Sequence, residues 1–295
     1  FPDRVNDRVR NLLSFLWSLQ DEKTGRLPNY GSNDGALIFP LSSCDYLDYR
    51  PSLNALSEVL NDGPIYMAGP WVEEAVWFRG PQVYTEECSG SDIGTSSKQV
   101  ISNIKGRKRS TLVAFPEGGY YALRGQDLFA MIRCGEHHHR PSQADMLHLD
   151  VWYKGYNVLI DPGTYSYNLG KDWTNYFSGT ESHNTISVDG YDQMKKGSRF
   201  LWIDWVHGKT LEFGPRGSAY IFMGEHYGYE PVAHRRFVAL REGTLVVVDY
   251  LFGDTKKHEY TLNWLVNDFG LRGNEWGATI DVEGYEVLLR TGCSH

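Results

Sequence analysis

The chain has 295 residues, 41% of them hydrophobic and 22% charged, enough for two ordinary cores and too apolar a composition for a disordered polymer. Its formal charge of -8 speaks against a general nucleic-acid binder, whose mark is a basic excess. No apolar run nears the roughly 20 residues of a membrane-spanning helix, no leader is legible before Phe1, and the four cysteines lack a C-x-x-C spacing, which argues against a zinc ribbon or a redox pair.

Val5, Val9, Leu12, Leu13 and Leu16 recur at three- and four-residue steps and predict an amphipathic helix that ends before the Gly25 turn. Pro51, Leu53, Leu56, Val59 and Leu60 predict a second helix, with proline in its first turn and Asn61-Asp-Gly63 as its stop. Residues 71–78 predict a third, short one. Residues 87–111 turn rich in Ser, Gly and Lys and read as a linker or long loop. After Phe115 the period changes to two: runs at 120–124, 128–133, 147–152, 157–160 and 185–188, then 220–223, 237–240, 244–251, 259–265 and 286–290, are separated by Gly, Pro, Asp or Asn. Arg241-Glu-Gly243 and Glu283-Gly284 predict hairpin turns. Many short strands without intervening helices favour an antiparallel β-sandwich over a βαβ fold. The expected organisation is α+β multidomain, with helices over 1–86, a linker over 87–111 and a sandwich over 112–295.

Aromatic residues make up 14% of the chain, with 19 Tyr and 9 Trp. Flat rings are what sugar faces stack upon, although core packing accounts for most single cases. Polar residues concentrate in four places: Pro28-Asn-Tyr-Gly-Ser-Asn-Asp-Gly35, Asp45-Tyr-Leu-Asp-Tyr-Arg-Pro51, the run from His137-His-His-Arg140 to His148, and Asp161-Pro-Gly-Thr-Tyr165 on to Ser182-His-Asn-Thr185. The first two also suit plain turn chemistry. Three adjacent histidines cannot all be core, so at least one is exposed or liganded.

Gln143-Ala-Asp-Met-Leu-His-Leu-Asp-Val-Trp-Tyr-Lys-Gly155, Val158-Leu-Ile-Asp-Pro-Gly-Thr-Tyr165 and Ser182-His-Asn-Thr-Ile-Ser-Val-Asp-Gly190, in that order, resemble the heparinase II/III-like domain of bacterial polysaccharide lyases. The resemblance covers residues 115 to about 265. It implies that the first segment is the end of an α/α toroid, that the active site lies between the two domains, that the partner is an acidic, uronic-acid-containing polysaccharide, and that the location is periplasmic or secreted. The implied activity is that of a carbon–oxygen lyase working by β-elimination.

Such a reaction removes the proton beside a carboxylate, which requires that the carboxylate charge be neutralised by an amide or an imidazolium. A His or Tyr then takes the proton, and a Tyr commonly returns one to the leaving oxygen. Asn29 or Asn33 fits the neutraliser. Tyr84 resembles the toroid's catalytic Tyr in placement, with Tyr46 and Tyr49 as competitors. Family lyases carry a His-x-His-Ala-Asp pattern where this chain reads Pro141-Ser-Gln143-Ala-Asp145, so two expected histidines are missing and His139 stands in for the acid/base. Asp161 and His183 match two of three metal ligands of some members, which implies a divalent cation, zinc or calcium. Gln143 is a poor third ligand for zinc, and without a cation His183 orients the Asp161 loop. Arg50, Arg140, Gln143, Tyr165 and Tyr176 complete the substrate-binding candidates, Arg140 through a bidentate grip on carboxylate. The rival reading is a non-catalytic or differently catalytic polysaccharide-binding relative serving polysaccharide assembly or export.

Overall fold

The computed structural model describes residues 2–31, 33, 37–66, 69–80, 109–166, 168, 170–198 and 200–293. Tyr84, Tyr167, Cys88 and most of the expected linker lie outside them. Two compact units form. One contains Phe1–Leu27 and Gly35–Ser110, the other Pro28–Asp34 and Thr111–His295. The Asn/Gly-rich loop around Asn29 therefore groups with the strands that follow, not with the helices on either side of it.

In the first unit, α1 (Asp3–Leu19) buries Leu13, Leu16 and Leu19 along one stripe, as the three- and four-residue spacing requires. Helix α2 (Arg50–Val59) has Pro51 in its first turn and buries Leu53 and Ala55. It stops where Asn61 and Gly63 take positive φ of 60° and 75°. A 3-10 turn over Pro70–Val72 leads into α3 (Glu73–Arg79), which ends at Gly80. Arg109 is buried in this unit, donating to Glu22 at 3.1 Å and to Tyr66 at 3.0 Å.

The second unit is mostly antiparallel sheet. Strands β1 (Leu112–Phe115), β2 (Tyr120–Arg124), β3 (Leu128–Arg133), β4 (Leu149–Tyr153) and β5 (Tyr156–Leu159) form one sheet in that order. Strand β3 is buried at all six positions. Strand β6 (Ile186–Val188) pairs with β13 (Tyr260–Leu262), and β7 (Lys195–Ser198) with β8 (Leu201–Ile203). A second large sheet runs β12-β11-β10-β9, built from β9 (Gly208–Arg216), β10 (Ala219–Tyr229), β11 (Val232–Arg241) and β12 (Thr244–Phe252). Strands β14 (Gly270–Asn274), β15 (Gly277–Val282) and β16 (Tyr285–Arg290) make a third. These sheets share one core: Leu123 and Ile132 cluster with Phe222 and Val238 and with Ile280.

Both predicted hairpin turns form. Arg241 pairs with Thr244 around Glu242 and Gly243, at φ 47° and 77°, and Val282 pairs with Tyr285 around Glu283 and Gly284, at 48° and 84°. Two positive-φ residues match the right-handed twist of the flanking strands. The expectation of strands without intervening helices is corrected by α4 (Lys171–Ser178), whose aromatic stripe of Trp173, Tyr176 and Phe177 is not buried. Tyr176 sits on that helix.

Candidate functional site

Three chain segments converge in the second unit. The segment leaving β3 runs back through Gln143, Asp145 and Leu147 to His148, all buried, with Leu147 at φ 60°. The segment leaving β5 makes a turn in which the Gly163 N–H donates to Asp161 Oδ1 at 2.7 Å, the local closure an Asp two residues before a glycine offers. The 3-10 turn Thr180–Ser182 delivers His183. From outside, the Asn29 amide donates to the Asp161 carbonyl at 3.1 Å, and Asn33 and Thr164 exchange bonds, Asn33 N–H to Thr164 Oγ1 at 3.1 Å and Thr164 N–H to the Asn33 carbonyl at 3.2 Å.

Asp161 is the centre of this arrangement. Its Oδ2 is 3.4 Å from His183 Nε2 and 4.0 Å from His148 Nε2, and Gln143 Nε2 donates to its Oδ1 at 3.5 Å. The rings are oriented from behind. His183 Nδ1 donates to the Gly179 carbonyl at 2.7 Å, whereas His148 Nδ1 accepts the Asn184 N–H at 3.0 Å. A nitrogen that accepts a backbone N–H is unprotonated, so a neutral His148 carries its proton on Nε2, facing the carboxylate. Asn184 ties the segments together: its amide donates to the Leu149 and Ile160 carbonyls and accepts the Leu265 N–H.

Burial opposes charge throughout. It pushes His148 down to about 3. At His183 burial is outweighed by the Asp161 carboxylate, which raises that imidazole above its usual range. Asp161 is held below the usual carboxylate range because His183, then His148 and the Gly163 N–H, outweigh its own burial. Asp150, whose Oδ2 accepts the Asp161 N–H at 3.2 Å, is pushed up to about 8 by burial and then by the Asp161 charge. The environment thus favours the charged forms of Asp161 and His183 and the neutral form of His148, while burial and the Asp161 charge oppose a charged Asp150.

The donor set does not fit the implied cation. His148 turns an N–H, not a lone pair, towards Asp161. That leaves Asp161 Oδ2, His183 Nε2 and the amide oxygen of Gln143, which is buried without a hydrogen-bond partner. Zinc in a closed site takes four ligands from thiolate, imidazole and carboxylate, and calcium takes six to eight oxygens. Among the described residues no group of three His, Cys, Asp or Glu is placed to hold a metal. The geometry is that of a hydrogen-bonded support for the loop.

Beside this centre lies a cavity of about 220 Å3 lined by Tyr120, Arg133, the histidines 137–139, Arg140, Gln143 and Asp145. Arg133 donates to the Gly119 carbonyl at 3.2 Å, lies 5.2 Å from the Tyr120 ring and places Nη2 3.4 Å from His137 Nδ1. A guanidinium only donates, so His137 Nδ1 accepts and Nε2 carries the proton. That Nε2 is buried with no hydrogen-bond partner, and burial, followed by Arg133 and His207, pushes the ring down to about 4. His138, His139 and Arg140 are exposed, with the Arg140 guanidinium 5.8 Å from the Phe200 ring.

Of the residues singled out in the sequence, Asn29, Asn33, His139, Arg140, Gln143, Asp161 and His183 come together in this unit. Tyr165, 71% exposed at φ 59°, stacks on Phe177, against which Tyr176 packs edge-on. Tyr46, Tyr49 and Arg50 belong to the helical unit. There Arg50 grips Asp48 through Nε at 2.9 Å and Nη2 at 2.6 Å and covers the Trp71 ring, which fixes the guanidinium against its own unit. His148, Asn184 and Asp150 were missed although the quoted motifs contain them; for Asp150 a polar residue inside an apolar strand was the available signal. His137 stood within the histidine run, whereas Arg133 and Tyr120 gave no signal.

A family model described as Heparinase II/III-like, C-terminal, matches residues 107–289. A heparin-sulfate lyase of Bacteroides stercoris is 25% identical over 150 residues, 48% of this chain and 21% of that protein. The crystal structure of heparinase III superposes with a TM-score of 0.67 at 17% identity, over 98% of this chain and 42% of that one. Heparan sulfate lyase HepC from Pedobacter heparinus gives 0.61 at 14% identity, over 96% and 38%. At these identities the solved structures speak to the fold, and the chain spans less than half the length of each of these relatives.

Proposed function

Since the chain belongs to the heparinase II/III-like family, we propose that it works within a polysaccharide lyase that cleaves an acidic, uronic-acid-containing polymer by β-elimination. The observation that carries the reading is the cavity walled by the histidines 137–139, Arg133 and Arg140, built against the buried Asp161–His183 pair in the part of the chain that the family model matches. In this reading residues 1–86 are the closing helices of an α/α toroid, residues 112–295 form a sandwich, and the protein meets its polymer in the periplasm or outside the cell. Among the described residues no helix is long and apolar enough to cross a membrane.

The chemistry assigns roles. Arg140 meets the uronate carboxylate and stabilises the negative charge that develops on it, with His137 and Arg133 lining the wall behind it. Asn33 remains the amide candidate for the same task, because the Asn29 amide already donates to the Asp161 carbonyl. His139 takes the proton from the carbon beside the carboxylate. The electrons of that bond form the carbon–carbon double bond, the glycosidic C–O bond breaks, and Tyr84, outside the described residues, gives the leaving oxygen its proton. Gln143, Asp161 and His183 hold the wall in place, and Tyr165 and Tyr176 offer ring faces at its edge. No step runs through a metal.

The second reading, a polysaccharide-binding relative without this chemistry, draws on two observations: the Asn29 amide and the Arg50 Nε and Nη2 groups are engaged within the protein, and Pro141 and Gln143 stand where the family pattern has histidines. Incubating the intact protein with a panel of uronate polysaccharides separates the two. Rising ultraviolet absorbance from the conjugated unsaturated product, lost in His139→Ala and Arg140→Ala, is the outcome expected. A flat trace with retained binding favours the second reading.

A further inference from the structure

A second, larger cavity of about 1060 Å3 opens in the same unit between the β6–β7, β8–β9 and β10–β11 connections. It adjoins the histidine-walled cavity. Gly208 N–H donates to the Gly135 carbonyl at 3.0 Å, joining the neighbour of His207, on the wall of the large cavity, to the neighbour of Glu136, on the wall of the small one.

Its walls present rings on stiff supports. Tyr191 closes a two-residue turn in which Asp189 and Gly190 take φ of 53° and 71° and Val188 bridges to Tyr191, yet its side chain is 71% exposed. Tyr227 is 50% exposed and sits in the register irregularity of β10 between His226 and Tyr229, the kind of bulge that re-aims a side chain out of a sheet. Trp205 is half-buried and pinned by its Nε1–H to the Trp202 carbonyl at 2.9 Å. Tyr191 and Tyr227, held in solvent by a turn and a bulge, add nothing to a core, whereas Trp205 also packs against it, and all three rings suit stacking against the apolar face of a pyranose.

The charges discriminate between sugars. Asp189 is bonded to His258 at 2.7 Å, Asp192 accepts the Thr180 N–H at 2.7 Å, and Lys196 donates to Ser178 at 2.7 Å while covering the Trp202 ring. The exposed wall charges that make no ion pair among the described residues are Asp204, Glu230 and Lys195. Two carboxylates against one ammonium accept sugar hydroxyls and repel sulfate.

We propose that this cavity is a distal subsite that binds the uncharged hexose or N-acetylhexosamine units of the polymer whose uronate occupies the histidine-walled cavity. The inference rests on the proposed function for the identity of the polymer, and its stacking residues lie outside the assigned chemistry. The polymer then contains neutral as well as acidic units.

The test is titration of the intact protein and a Tyr191→Ala/Tyr227→Ala variant with an uncharged N-acetylglucosamine oligomer, a heavily sulfated oligomer of equal length and a short uronate oligomer. The expected result is that the neutral oligomer binds the parent more tightly than the sulfated one, that the variant loses about tenfold or more towards it, as removal of two stacked rings implies, and that the short uronate oligomer binds both alike. Equal neutral-oligomer affinity in parent and variant, or tighter binding of the sulfated oligomer, overturns the proposal. Ultraviolet elimination on the short uronate reads the lyase assignment separately: loss of stacking with elimination intact, or the reverse, shows which has failed.

Discussion

Arg236 is fully buried and its charge has one counter-ion. Nε and Nη2 donate to the two Asp249 oxygens at 2.7 and 3.0 Å, and Nη1 donates to the carbonyls of Leu147, at 2.8 Å, and Asn184, at 2.5 Å. Asp249 also receives His234 Nε2–H at 2.7 Å, and Arg236 and His234 together overcome its burial and hold it far below the carboxylate range. Removing the carboxylate in Asp249→Ala strands a guanidinium in the interior, a change that costs about 3–5 kcal/mol. Arg236→Met strands the carboxylate and two carbonyls and costs a similar amount. The double variant strands no charge, so it should lie about 1–3 kcal/mol above the sum of the singles. Equilibrium urea unfolding of the four proteins measures this. A single-variant loss below about 1 kcal/mol, or strict additivity, would refute the argument that this pair anchors the segments carrying His148 and His183.

Asp150 and His183 both have pKa values raised by folding. Stability from a raised group is present below its unfolded pKa and is lost as pH climbs through the folded one, so the Asp150 contribution should fall from about pH 4 to about 8, by up to ~1.4 kcal/mol per unit, and that of His183 should fall above about pH 6.5. Asp150→Asn should flatten that limb, and unfolding curves at the two ends would expose an error in the sign. Gly208→Ala should lose about 1–3 kcal/mol, because a Cβ there meets Met146 Sδ and comes within 2.8 Å of Gly135 N; an unchanged midpoint of thermal unfolding would contradict the close approach.

Elements with a buried stripe or a demanding turn were legible in the sequence. Helices α1 and α2 announce themselves by spacing, and Glu242-Gly243 and Glu283-Gly284 by the φ they must adopt. Helix α4 and strand β14 were not, since neither buries a residue and propensity alone marks neither. In the site, Asp161 and His183 stood out because Pro-Gly and Ser/Asn/Thr surround them. The grip of Arg236 on Leu147, 89 residues away, leaves no local trace. Nor does the orientation of His148, which depends on the N–H it accepts, not on its own identity. Asn29 reads as a free loop amide in sequence, but its donor is engaged by the Asp161 carbonyl.

The central claim is elimination, and the mass of the products tests it most directly. Digestion of a defined uronate oligosaccharide by the intact protein, followed by mass spectrometry, should give fragments whose masses sum to that of the substrate, because elimination adds no water. Fragments that together carry one extra water per cut would identify a hydrolase, and an intact substrate recovered in complex with the protein would identify a binder.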